Sequence, residues 1–340
     1  MALILAYFVG LVWLQLYESA SIGKGQERLR SLVAKPLSSG REEHPIGYWI
    51  AKDFFAQKSV PEIVIFGDSQ LGGLRAADAK VVGKKLDFAL DHKSYALQSA
   101  LAHHLGKSRP GVFVASQPGS LISDYFVIIE SLFSKTRKPN LVILALSPRE
   151  FLDNGLAYPG DSNYFRFFAP YADLGKANNL AYPDFGAKLN ANLKVLTRRA
   201  IPSVTPSQFM FAPEDKQVYR SVDPVYSIFD MNMNSSRCWH QIRFLKETLN
   251  FLQELDVKTL VVFMPIPECD CNLEVKKFAI QLLPSITSLC NESETHFFDL
   301  NNIENKFCQS DFLDPIHLSQ FGGEKFAKEL ASYLADQLRD

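Results

Sequence analysis

The sequence predicts an α/β protein built on a parallel sheet with helices on both faces. Three observations lead there: short apolar runs recur along the chain, segments with helical apolar spacing separate them, and the runs end in Gly, Ser, Asp or Pro clusters. Runs that are apolar throughout fit strands covered on both faces, and every parallel connection requires a crossover, usually a helix. With 340 residues, 47% of them hydrophobic and 21% charged, the chain can bury one large core, or one core with a substantial insertion.

Taken in order, residues 2–17 (ALILAYFVGLVWLQLY) carry no charge. As a helix they would span about 24 Å against a hydrocarbon core of about 30 Å. Residues 1–20 are read as a membrane anchor with Trp13 and Tyr17 at the interface, since no basic residue precedes the run and no small-residue cleavage site follows it. Lys24, Arg28, Arg30 and Lys35 lie downstream and, by the positive-inside rule, would hold the domain in the cytoplasm. Residues 21–58 are mixed and polar, broken by Pro36-Leu37-Ser38-Ser39-Gly40, and read as a stalk.

The globular part is expected over residues 59–340. Its first strand is Ile63-Val64-Ile65-Phe66, ending at Gly67-Asp68-Ser69-Gln70, and residues 71–105 are mainly helical in pattern. A second strand, Gly111-Val112-Phe113-Val114-Ala115, ends at Ser116-Gln117-Pro118-Gly119 and leads to a helix over 121–133. The third, Leu141-Val142-Ile143-Leu144-Ala145-Leu146, ends in Ser147-Pro148-Arg149-Glu150. Alternation then lapses over residues 151–238, an insertion rich in aromatic residues, Asn and Pro, whose aromatics would either form its own core or line a groove for sugars or acyl chains. Ile242, Leu245, Leu249 and Leu252 mark a helix, Thr259-Leu260-Val261-Val262-Phe263-Met264 a fourth strand, residues 273–289 another helix, and Thr295-His296-Phe297-Phe298-Asp299-Leu300 a fifth strand. The last helix follows His317, with Ser319 as N-cap and Phe326, Leu330, Tyr333, Leu334 and Leu338 as its apolar stripe.

Composition narrows the function. A net charge of -1 gives no global attraction to nucleic acid. The five cysteines, Cys238, Cys269, Cys271, Cys290 and Cys308, fit neither a disulfide scaffold nor the paired spacing of a zinc site, and no metal or cofactor is expected. In open α/β sheets ligands gather beyond the carboxyl ends of the strands, which selects Asp68-Ser69, residues 116–119, 147–154 and 265–270 as the rim. Ser69 stands at a strand-to-helix turn where backbone amides could receive an oxyanion, and Gly72-Gly73 allows close approach of substrate or backbone. Asp314 and His317, three residues apart, could place a carboxylate on one imidazole nitrogen and leave the other as a base. Glu268 and Asp270 are alternative acidic partners on the rim.

Gly67-Asp68-Ser69-Gln70 resembles the first block of the SGNH/GDSL hydrolases, and Asp314-Pro315-Ile316-His317 with Leu318-Ser319 and Gly322-Gly323 resembles their last. The resemblance implies a three-layer α/β/α, flavodoxin-like fold of about five parallel strands with a long insertion after the third. It also implies Ser69 as nucleophile and first oxyanion donor, His317 as base, Asp314 as its orienter, and Gly119 as a second oxyanion donor. The Gln70 amide is an alternative donor at the first turn. Where the family has Gly-x-Asn-Asp after its third strand, this chain has Ser147-Pro148-Arg149-Glu150, so Ser147, Arg149 and Asn154 are the candidates for the Asn role. The expected activity is esterase or O-acyltransferase chemistry on an acylated small molecule or polysaccharide. The anchor, insertion and missing Asn are similar to membrane-tethered SGNH-like proteins of the cell envelope, which implies an extracytoplasmic domain, opposite to the orientation that the basic residues give. The alternative is a non-catalytic member of the fold that binds an envelope polymer or scaffolds a partner.

Overall fold

The computed structural model describes residues 25–35, 44–87, 90–106, 110–152, 156–182, 210–211, 233, 235–268 and 273–337. Five parallel strands form the main sheet: β1 (Ile63–Gly67), β3 (Val112–Ser116), β4 (Leu141–Leu146), β6 (Lys258–Phe263) and β7 (His296–Asp299), in the order β3-β1-β4-β6-β7. A separate antiparallel pair joins β2 (Leu86–Asp87) to β5 (Met210–Phe211). In the main sheet the chain runs outward from β1 to one side and then to the other, so the switch point lies at the carboxyl ends of β1 and β4. That is where a doubly wound sheet opens a crevice.

Strand side chains alternate between two cores. Val64, Phe66, Phe113, Ala115, Val142, Leu144, Leu146, Val261 and Phe263 face one, and Ile63, Ile65, Val112, Val114, Ile143, Ala145, Leu260 and Val262 face the other. The second core is closed by α3 (Gly72–Val82), α4 (Tyr95–Leu105) and α10 (Gln320–Gln337). The first is closed by α1 (Gly25–Val33), α2 (Ile46–Ala56), α5 (Ile122–Leu132), α6 (Asn163–Phe168), α7 (Leu174–Ala181), α8 (Ser236–Glu254) and α9 (Leu273–Glu292). The result is a three-layer α/β/α arrangement, with each expected strand within about one residue of its place. At α10 the Ser319 hydroxyl accepts from the Gly322 N–H at 3.2 Å, which is the expected cap.

The stalk reading is corrected for its described part. Leu29 and Val33 of α1, and Tyr48, Trp49, Ile50, Ala51 and Phe54 of α2, are buried in the first core. Gln26 donates its amide N–H to the carbonyl oxygens of Glu130 and Phe133, and Arg137 donates to the Phe54 carbonyl at 2.9 Å. Leu29 and Val33, one turn apart, give α1 a narrow apolar stripe that tertiary packing makes stable, whereas an isolated helix of that length would be marginal. The proposed anchor at residues 2–17 lies outside the described residues, among which no helix is long and apolar enough to cross a membrane.

The insertion supplies core. Phe165, Phe168, Ala177, Ala181 and Tyr182 are buried with α5 and α8 in the first core, so these residues serve packing, while the half-buried Tyr164 donates its hydroxyl to the Pro118 carbonyl at 2.9 Å. Asp124 ties α5 to it, accepting from the Leu121 N–H at 2.8 Å and the Phe165 N–H at 3.0 Å. Burial pushes the Asp124 carboxyl up to about 7, against the hydrogen bonds that favour its ionised form. A folded-state pKa above the unfolded value means that the folded protein holds the extra proton, so stability falls as pH rises from about 4 to about 7. Urea unfolding at pH 5 and pH 7 should therefore show a smaller pH-dependent loss in Asp124→Asn than in wild type, the difference reaching up to about 1.4 kcal/mol per pH unit for one proton. Equal slopes in the two proteins would contradict the burial argument.

Candidate active site

The site starts from the end of β1. Beyond Gly67 the chain makes a 3-10 turn, Ser69–Leu71, capped by Asp68, whose Oδ1 accepts from the Gln70 N–H at 2.7 Å. The turn leads directly into α3 and leaves Ser69 partly exposed at the head of the sheet. Across from it, His317 Nε2 lies 2.9 Å from Ser69 Oγ, and His317 Nδ1 lies 2.8 Å from Asp314 Oδ2. The second carboxylate oxygen, Asp314 Oδ1, accepts from the N–H groups of Ile316 and His317, each at 2.8 Å. Burial acts to raise the Asp314 pKa, but the hydrogen bond and positive charge offered by His317 and these backbone donors outweigh it and hold the carboxyl below its usual range. An ionised carboxylate on Nδ1 fixes the imidazole tautomer with Nε2 free to take the serine proton.

What brings residues 248 apart within reach is a glycine contact between helices. A Cβ on Gly323 would lie 2.0 Å from the Gly73 carbonyl oxygen and 2.5 Å from the Leu74 nitrogen, and one on Gly73 would lie 2.6 Å from both Leu318 Cβ and the Ser319 carbonyl oxygen. The start of α10, just after His317, therefore rests backbone to backbone on the start of α3, just after Ser69. Only glycine permits that approach.

The loop after β3 is tied to the same strand end. Gln117-Pro118-Gly119-Ser120 is a turn with Pro118 second, Gly119 third at φ 75° and a Ser120 N–H to Gln117 carbonyl bond of 3.2 Å. It is tied to the Gly67 carbonyl by the Gln117 N–H and the Ser120 hydroxyl, each at 3.1 Å. Among the described residues, neither the Ser69 nor the Gly119 N–H is bonded to an acceptor. Both are thus available to a developing oxyanion. The Gln70 N–H is not, because Asp68 occupies it. That corrects its assignment as a donor.

The turn after β4 also differs from expectation. The Ser147 hydroxyl and N–H both bond to Glu150 Oε2, the latter at 2.7 Å, and Glu150 Oε1 accepts from Tyr125 Oη at 3.0 Å. Ser147 is fully buried in this network and is no oxyanion donor. Burial, then the negative charge of Asp68, push the Glu150 carboxyl well above its usual range. Arg149 reaches the Ser69 turn itself, with Nη1 3.0 Å from Asp68 Oδ2. Sequence reasoning missed Glu150 and Tyr125 because neither lies in a motif. The signal available was the Ser147-to-Glu150 spacing of a capping box. Asn154, Asp270, Cys269 and Cys271 lie outside the described residues. Glu268 lines a separate cleft of about 300 Å³ between α9 and the ends of β6 and β7, whose lining contains no triad residue. Cys238, Cys290 and Cys308 are free thiols.

A 2-1-3-4-5 parallel sheet, counting its strands in chain order, carries a serine after its first strand and an Asp-x-x-His before its last helix. This arrangement resembles that of the SGNH/GDSL hydrolases. Comparison with solved structures finds a family two carbohydrate esterase from Clostridium thermocellum in complex with cellohexaose, at 10% identity and a TM-score of 0.37 over 83% of this chain; the chain spans 66% of that protein, just under two thirds. A second is a protein of the G-D-S-L family from Desulfitobacterium hafniense, at 9% identity and a TM-score of 0.37 over 80% of this chain and 99% of that one. No protein-family model and no curated protein matches the chain.

Proposed function

We propose that the protein transfers acyl groups through an acyl-enzyme at Ser69, as an esterase or an O-acyltransferase acting on a carbohydrate or other acylated substrate. The observation that carries this reading is the unbroken chain Asp314–His317–Ser69, with links of 2.8 and 2.9 Å. In the first half-reaction His317 Nε2 takes the Ser69 hydroxyl proton as Oγ attacks the ester carbonyl, and Asp314 stabilises the imidazolium. The N–H groups of Ser69 and Gly119 receive the oxyanion, and His317 returns the proton to the leaving alcohol. In the second, His317 activates the acceptor. Water as acceptor gives hydrolysis, and a sugar hydroxyl gives O-acyl transfer.

A serine-directed fluorophosphonate should modify Ser69 and no other serine, as read by mass spectrometry of the tryptic peptides. Failure to label under conditions that label a known esterase overturns the reading. The second reading, a non-catalytic protein of this fold that binds an envelope polymer or scaffolds a partner, is favoured by one observation: Arg149, one of the candidates for the role of the family's Asn, is engaged with Asp68. The labelling experiment separates the two. Acetylated glycans, incubated with and without a sugar acceptor, then distinguish esterase from transferase. In the same reading residues 1–20 anchor the protein to a membrane whose envelope polymers supply the substrate.

A further inference from the structure

Asp68 engages two partners at once. Oδ1 holds the Gln70 N–H at 2.7 Å and so closes the turn that presents Ser69, while Oδ2 holds Arg149 Nη1 at 3.0 Å. The Asp68 side chain is 1% exposed and that of Arg149 15% exposed, so this is a shielded ion pair. Removing one partner of such a pair leaves an uncompensated buried charge. Arg149 is in turn held by the turn that bears it, Pro148–Phe151, where Glu150 bonds to Ser147 and Tyr125. β4, which leads into that turn, is paired in register with β1, which leads into the Ser69 turn. Two neighbouring strand ends are therefore cross-braced by one ion pair directly behind the nucleophile.

We propose that Arg149 is a positioning residue: as the counter-ion of Asp68 it keeps the carboxylate seated on the Gln70 amide and thereby aims Ser69 at His317, without touching the acyl oxygen itself. The proposal rests on the acyl-transfer reading and deepens it. It differs from an oxyanion role for Arg149 in one decisive respect. If the guanidinium acts only by neutralising Asp68, then Asp68→Asn, which removes the charge but keeps a side-chain oxygen for the Gln70 N–H, should make Arg149 largely dispensable.

The test is a double-mutant cycle of wild type, Arg149→Met, Asp68→Asn and the double variant. It is read by kcat and KM on p-nitrophenyl acetate and by the rate of Ser69 phosphonylation. Arg149→Met is expected to lower kcat by about 10²-fold through misplacement of the nucleophile, with KM changed less than about threefold. Arg149→Lys, which keeps the charge, should recover at least about tenfold of that loss. In the Asp68→Asn background, loss of Arg149 should lower kcat by less than about threefold. That comparison stands even where Arg149→Met does not fold, because the double variant buries no unpaired charge. A loss from Arg149→Met as large in the Asp68→Asn background as in wild type would put Arg149 on the substrate and overturn the proposal. A wild type that is not labelled at Ser69 overturns the acyl-transfer reading and the proposal with it. A labelled wild type with additive losses overturns the proposal alone.

Discussion

Alanine at Ser69 is expected to lower turnover of an activated acetyl ester by about 10⁴- to 10⁶-fold and to abolish phosphonate labelling. The nucleophile and its base act as one unit, so alanine at His317 should cost a comparable factor. The double variant should lose no more than the worse of the two single variants, since the remaining rate comes from binding and from the amides of Ser69 and Gly119. Purified proteins assayed side by side on the same ester test both statements. Multiplicative losses in the double variant would mean that Ser69 and His317 do not share one proton transfer, and the 2.9 Å contact between them would then be structural.

The second large effect is expected far from any reacting atom. Gly323→Ala places a methyl 2.0 Å from the Gly73 carbonyl oxygen and 2.1 Å from its carbon. Both are backbone atoms, so no rotamer change relieves the clash and α10 must lift away from α3. Since Ser69 precedes one helix and His317 the other, the lift opens the triad. A displacement of about 1 Å is enough for a 10²-fold loss in rate, and overpacking of this kind destabilises by about 1–3 kcal/mol or more. The control is Gly111→Ala, where the nearest atom to a new Cβ is at 3.6 Å. Thermal unfolding and ester kinetics should separate the two variants clearly, and a Gly323→Ala protein with wild-type kinetics would show that the helices do not set the triad.

Much of this was legible in the sequence. β1, β3, β4 and β6 are apolar runs buried on both faces, and such runs announce themselves without reference to partners, whereas β7 at the sheet edge is only partly buried. That Ser69, Asp314 and His317 come together was legible because the Asp-x-x-His spacing is local and the strand ends say where the two stretches meet. The Gln70 amide was misassigned because the residue that consumes it, Asp68, competes through a side chain for a backbone donor. The role of Arg149 depends on a partner 81 residues away, and a guanidinium on a rim gives no sign of which carboxylate it will choose. α1 and α2 were read as parts of one polar stalk because α1 and the residues between them are polar, although α2 itself is largely apolar and carried a signal of burial. The few buried positions of α1 matter only once there is a sheet and an α5 to bury them against.

That packing changes the reach of the protein. A stalk over residues 21–58 would have been a 38-residue leash, able to carry the site about 130 Å from its attachment when fully extended. With Gly25 already inside the folded body, an anchor over residues 1–20 would leave four residues, 21–24, as the tether. Those four can cover about 14 Å at most. Under the proposed anchoring, the triad would patrol a thin shell next to the bilayer and meet acyl groups delivered there, and polymer deeper in the envelope would have to come to it.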